Sequence, residues 1–265
     1  MAYRRSYPFN NDNNIGPNFW NVLYDSLLRT DVPEETFLVG YADDIAAVIE
    51  ARNPELAQLQ LNQVTRRVNA WMENHGLHLA LSKTEIVMLT RKRICTITEM
   101  RVGSEITETK VSARYLGVEF DSKLTFWPQI KKSSDKAAAT TVSLSRLMAN
   151  VGGPTQCKRK LLMAVVESQL LYGAEIWASA LNTAKYRNRI TVVQRRGALR
   201  VACSYRTVSE AAVLVIAGTI PIDLLAKERK QGFVFRESIL EYRENAKNSL
   251  DWTGTPAWKA DLYNR

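Results

Sequence analysis

An α+β segment followed by an all-helical one is the fold class this sequence predicts, and three observations predict it. Up to about residue 125, short apolar runs of strand length are interleaved with two stripes of helical period. After Phe126 the apolar residues recur only with helical spacing, over runs much longer than a strand. The charge switches at the same place: Lys131 to Lys230 holds 17 basic and 6 acidic residues, a net +11, whereas the rest of the 265-residue chain is −2. With 46% apolar and 24% charged residues the chain can bury a core, which excludes a disordered linker or tail protein.

In chain order, residues 1–15 with the run NNDNN read as an irregular leader. Phe19, Trp20, Leu23 and Leu27 mark a helix to Leu28 with Asn18 as its cap. Phe37–Tyr41 and Ile45–Ile49 are apolar runs flanking Asp43-Asp44, the pattern of a β-hairpin with an acidic tip. Asn53 and Pro54 open a helix whose stripe runs through Leu56, Leu61, Val64, Val68, Trp71 and Met72 to a stop at Gly76. Leu77 to Leu81, Ile86 to Leu89, Ile94 to Ile106 and Val111 to Phe120 read as further strands. Helices follow over about 127–149, 155–180, 184–203, 209–217 and 222–246. The expected division is therefore 16–130, 131–246 and a tail, 247–265.

Three cysteines, Cys95, Cys157 and Cys203, are odd in number and far apart, against both a disulfide framework and a CxxC zinc site. A reducing compartment, nucleus or cytoplasm, is the expectation. The uncharged run Ala211–Ile222 is too short to span a bilayer, and no membrane role is expected.

Tyr41-Ala42-Asp43-Asp44 is the sharpest chemical feature. Adjacent carboxylates repel, so a fold that keeps both ionised at a hairpin tip holds a hard divalent cation there. A solvated acidic turn is the plain alternative. The apolar strands on both sides favour the metal, and alternation along the strand aims Asp43 at it.

The string FLVGYADDIAAVI resembles the YxDD box of reverse transcriptases, and its continuation resembles the non-LTR retrotransposon branch of the insect R1 or Jockey type. GLHLALSKTEIVML resembles the motif after that hairpin, and YLGVEFDSKLTF the primer-grip motif. YGAEIWASAL and QRRGALRVACSYRTVSEAAVLVIAGTIPIDLLAKER resemble the helical thumb and its continuation, so the likeness runs from about Ile15 to Arg229. It implies a partial palm of antiparallel strands and helices, then an all-α thumb, ancestrally making DNA on an RNA template from a DNA primer and deoxynucleoside triphosphates. Asp43 and Asp44 take the metal positions for Mg²⁺, and Lys83 the place of a lysine that approaches the triphosphate. Tyr115, Leu116 and Gly117 take the primer grip. A surface lysine and an ordinary strand with a glycine bulge are the plain alternatives.

Two-metal nucleotidyl transfer draws carboxylates from two segments. The family's first catalytic aspartate lies on a strand well before the box; here 42 residues precede Asp43, and Asp12, Asp25 and Asp31 among them lie in no apolar strand. The expectation is a polyprotein fragment that does not polymerise alone. The reading from another class is a non-catalytic remnant that binds nucleic acid or a protein partner. In the basic helical segment, Lys158, Arg159, Lys160, Arg195 and Arg196 are the expected phosphate contacts, with Tyr186 able to stack on bases and Trp177 assigned to the core.

Overall fold

The structure, a computed structural model, describes residues 15–42, 44–80, 83–92, 96–103, 105–150 and 152–248, the stretches 15–19 and 239–248 by backbone alone. Most of the expected leader and tail, and Asp43 and Cys95, lie outside the described residues. The fold is α+β, with helices and short antiparallel strand pairs. The chain forms two compact units, Met1–Ala113 with Asp121–Leu124, and Arg114–Phe120 with Thr125–Arg265.

In the first unit, α1 (Ile15–Leu28) precedes the hairpin β1 (Thr36–Tyr41) and β2 (Asp44–Ile49). The helix begins a turn before the expected cap, so Asn18 lies within it. Antiparallel pairing runs from Thr36↔Ile49 to Tyr41↔Asp44. Thr36, Leu38 and Gly40 turn inward and Phe37, Val39 and Tyr41 outward, as a period of two requires. α2 (Pro54–Asn74) starts where a local cap sets it: the Asn53 side chain accepts from Leu56 N at 2.8 Å, and proline has no N–H to lose in the first turn. It stops at Gly76, whose φ of 65° permits the bond from Leu77 N to Met72 O at 2.8 Å.

One stripe of α2 (Val64, Val68, Met72) closes a core with Tyr24, Leu27, Ile45 and Leu77. Leu61, nearer its start, packs with Met100 and Val102 of β3 (Glu99–Val102), which pairs with β4 (Glu105–Glu108). Gln58 of α2 completes β3: its amide donates to Arg101 O and accepts from Arg101 N, both at 2.8 Å. Of the strands expected over 77–81, 86–89 and 94–106, the last contains β3 and the start of β4, and the first two are a correction. Among the described residues, 77–80, 83–92 and 96–98 run without a ladder, joined to the rest by a bridge, Val87↔Lys110, and single bonds such as Lys110 N to Ile86 O at 2.7 Å. Leu77 and Leu79 pack on one cluster and Ile86 and Met88 on the other, so their alternation arose without strand partners.

The run Val111–Phe120 is a pair of strands, β5 (Ser112–Tyr115) and β6 (Val118–Asp121), and its turn half, Arg114–Phe120, belongs to the second unit. There α3 (Trp127–Ser145), α4 (Gln156–Leu170), α5 (Ala174–Trp177), a 3₁₀ turn (Ala178–Asn182), α6 (Ala184–Val201), α7 (Glu210–Ala217) and α8 (Ile222–Asn248) enclose one core. Trp177 is fully buried in it, as expected, beside Ile130, Leu170, Ile190 and Ile222. Gln194 ties α6 to the start of α8, donating to Ile220 O at 2.7 Å and accepting from Ile222 N at 2.8 Å. The single helix expected over 155–180 breaks at 171–173. Gly173 adopts a φ of 66°, and Trp177 Nε1 turns back to Tyr172 O at 2.9 Å.

Arg159 departs most from expectation. It is 3% exposed, and its guanidinium donates to four carbonyls: Pro154 at 2.7 Å, Met148 at 3.2 Å, Arg200 at 3.1 Å, and Ala149. The Met148, Ala149 and Arg200 carbonyls follow α3 or close α6, helix C-termini whose dipoles favour a cation, and the Pro154 carbonyl precedes α4. Removing the fork strands several buried carbonyls, so Arg159→Met should lower the unfolding free energy by about 3 kcal/mol or more. Lys158→Met, on the exposed neighbour, should change it by less than about 0.5 kcal/mol. Urea titration of both checks this, and equal effects would contradict the assignment.

Candidate functional site

Two tight turns and a set of surface cations carry the expected chemistry. The first turn joins β1 to β2. Ala42 takes a φ of 53°, a left-handed geometry that costs a non-glycine residue about 1–2 kcal/mol. Such a conformation persists only where the surroundings over-determine it. Here α1 does so: Trp20 Nε1 donates to Ala42 O at 2.9 Å and Tyr24 Oη to Asp44 O at 3.0 Å, with the two rings stacked at 5.6 Å. Tyr24 reaches the tip because Gly40 has no side chain; a Cβ there would sit inside the tyrosine ring.

Asp44 opens β2 half-buried at this tip. Hard carboxylate oxygen suits a hard divalent cation in kind. It falls short in number: among the described residues no group of three or more His, Cys, Asp and Glu stands ready for a metal. Lys83 is exposed, and its N–H donates to Ala80 O at 3.0 Å.

The second turn, Leu116-Gly117, joins β5 to β6 with φ values of 45° and 85°, both positive as in a type I′ hairpin. Tyr172 Oη donates to Leu116 O at 2.8 Å, and a Cβ on Gly117 would lie 2.9 Å from the Tyr172 ring. Gln129 of α3 accepts from Glu119 N at 2.9 Å, and Lys132 pairs with Glu119 at 2.9 Å.

Of the five expected phosphate contacts, Lys158, Lys160 and Arg196 are exposed. Arg159 is withdrawn from that role by its burial among carbonyls. Arg195 is half-buried and donates to Arg206 O at 2.6 Å and Val208 O at 2.8 Å, bracing the loop before α7. Tyr186, expected to be able to meet bases, stacks on Trp127 at 4.9 Å with Lys185 over the same indole at 4.5 Å. His75 and His78 are both exposed, His75 stacking on Trp71 at 4.2 Å. Burial raises the Glu167 carboxyl above the usual range, but it lies on α4, in neither turn. Sequence reasoning missed Trp20, Tyr24, Gly40 and Tyr172, the residues that hold the turns. A glycine inside an otherwise apolar strand run was the available sign at Gly40.

Residues 14–120 match the family described as Reverse transcriptase (RNA-dependent DNA polymerase). The chain is 27% identical over 237 residues to a putative 115 kDa protein in type-1 retrotransposable element R1DM of Drosophila melanogaster, covering 87% of this chain and 23% of that one. It is 28% identical over 218 residues to a retrovirus-related Pol polyprotein from type-1 retrotransposable element R1 of Nasonia vitripennis, covering 79% and 64%. Over 176 residues it is 28% identical to a probable RNA-directed DNA polymerase from transposon BS of Drosophila melanogaster, covering 65% and 19%. The chain thus spans less than two thirds of the length of these relatives. No solved structure matches it.

If Gly40 exists to seat Tyr24, Gly40→Ala should cost about 1–3 kcal/mol by overpacking. Tyr24→Phe should cost about 1 kcal/mol for one lost hydrogen bond. The double variant should fall short of the sum, because both act on one contact. Urea titration of the three proteins decides, and a Gly40→Ala chain as stable as the parent would refute the close approach.

Proposed function

We propose that the chain, whose residues 14–120 match the reverse transcriptase family and which is similar to R1-type retrotransposon proteins, supplies the later palm and the thumb of an RNA-directed DNA polymerase. The observation that carries the reading is the β1–β2 hairpin, bound at Ala42 O and Asp44 O by Trp20 and Tyr24, within the sequence Tyr41-Ala42-Asp43-Asp44. In this reading 16–130 is the palm portion and 131–246 the thumb, with 1–15 and 247–265 as flanks. Reverse transcriptases generally use divalent metal ions and act on RNA templates and nucleotides. Asp43 and Asp44 would hold Mg²⁺ together with carboxylates from elsewhere in a longer polyprotein, and the bound ion supplies electrostatic stabilisation of the triphosphate. Lys83 would meet the triphosphate from solvent, and Tyr115, Leu116 and Gly117 would abut the primer strand.

The exposed Lys158, Lys160 and Arg196 would neutralise phosphates of an RNA–DNA hybrid without reading its sequence. Among the described residues no helix is long and apolar enough to cross a membrane.

Exchanged for the matching segment of a longer R1-type Pol polyprotein, this chain should support deoxynucleotide incorporation on an RNA template. Asp43→Ala and Asp44→Ala should each lower incorporation by about 100-fold or more, the loss of several kcal/mol of charge stabilisation. Incorporation indifferent to both substitutions would end the metal assignment. The second test uses the chain alone, in a salt titration of RNA–DNA hybrid binding. Lys158→Glu, Lys160→Glu and Arg196→Glu together should flatten the log–log slope by roughly two units, at 0.7–0.9 per phosphate contact. Identical slopes would remove these three cations from the interface.

A further inference from the structure

We propose that Tyr172 is the positioning residue of the Tyr115–Gly117 turn, the side chain that fixes where the primer strand's end meets the protein; the inference rests on the primer-grip reading of that turn. Four observations converge. The Tyr172 hydroxyl donates to Leu116 O at 2.8 Å, across 56 residues of chain. Its ring lies close against the turn, so that a Cβ on Gly117 would stand 2.9 Å from Cε1 and 3.0 Å from Oη. The fit is reciprocal: a Cβ on Gly173 would stand 2.7 Å from Val118 Cγ2. Each turn therefore carries a left-handed glycine, φ 85° and 66°, at the point where the other turn's side chain presses on it.

The fourth observation is where Tyr172 is anchored. Its own carbonyl accepts from Nε1 of the fully buried Trp177 at 2.9 Å, and the preceding carbonyl, Leu171 O, accepts from Arg229 Nη1 at 2.9 Å. The backbone is fixed to the core on both sides while the side chain is 52% exposed. A residue kept for packing would bury its ring. This one leaves half of it in solvent and directs its hydroxyl to the carbonyl of a strained residue, Leu116, at φ 45° and itself 39% exposed. The consequence is a turn that meets its ligand with an exposed apolar side chain and cannot recoil, because the strained backbone behind it is tied to the helical core.

The test uses the full 265-residue chain and an RNA template–DNA primer hybrid ending in a 3′-terminal 4-thiothymidine. On irradiation the parent chain should cross-link within residues 115–117. Tyr172→Phe should keep the hybrid's dissociation constant within about twofold, since the thumb phosphate contacts are untouched. It should lower the cross-link yield at 115–117 about fivefold, the population change that one lost hydrogen bond produces. Tyr172→4-aminophenylalanine, which keeps the ring and restores a donor at the same place, should recover the yield. That recovery also separates positioning from folding if the Phe variant is less stable, since ring packing alone does not distinguish the two substitutions. Equal yields in all three proteins, or an aminophenylalanine chain as poor as the Phe chain, would overturn the role of Tyr172 alone. Cross-links from the parent chain that map elsewhere would overturn the primer-grip reading and this proposal with it.

Discussion

A tyrosine hydroxyl bound to a backbone carbonyl, with its ring close against a glycine, is the interaction on which both tight turns depend. Tyr24 does this to the β1–β2 tip through Gly40 and Asp44 O, and Tyr172 does it to the β5–β6 turn through Gly117 and Leu116 O. The physical logic is the same in each. Ala42 and Leu116, both non-glycine residues, sit in left-handed conformations that the free chain would leave. One hydrogen bond of about 1 kcal/mol does not hold such a turn unless the donor is immobile, and an aromatic ring on a flat glycine face is immobile in a way that a lysine or serine is not.

What the sequence disclosed follows from range. Asn53-Pro54, the stop at Gly76 and the hairpin around Asp43-Asp44 are set by residues within a few positions of one another, and local pattern is enough to read them. The tyrosine–glycine pairs join residues 16 and 55 positions apart, which no window of helical or strand period contains. Leu77, Leu79, Ile86 and Met88 misled for another reason, since apolar residues packed on a core can alternate just as those of a paired strand do. Arg159 misled because it stands in Lys158-Arg159-Lys160, which invites a surface reading. Its helical spacing says otherwise: 159, 163, 166 and 170 form the buried stripe of α4, and an arginine in phase with Met163, Val166 and Leu170 points inward.

Charge counting alone overstates the field that a polyanion meets. The +11 between Lys131 and Lys230 includes Arg159, Arg195 and Arg229, which donate to carbonyls, and Lys132 and Arg189, which face Glu119 and Asp135. Carbonyl-bound guanidinium groups keep their charge but lose the freedom to close on a phosphate in the forked geometry that makes arginine a good ligand. Exposed cations such as Lys158 and Arg196 keep that freedom, whereas Arg159 and Arg195 do not.

Gln58 has a bearing on solubility. A strand with open N–H and C=O groups on one side is a template on which a second molecule can add a strand of its own. β3 presents such a side at Arg101, and there the Gln58 carboxamide makes the two bonds that a neighbouring strand would make, one as donor and one as acceptor. The glutamine acts as a one-residue strand borrowed from a helix. Intermolecular sheet growth at that point must first displace it, so a single polar side chain guards a two-stranded ribbon against self-association.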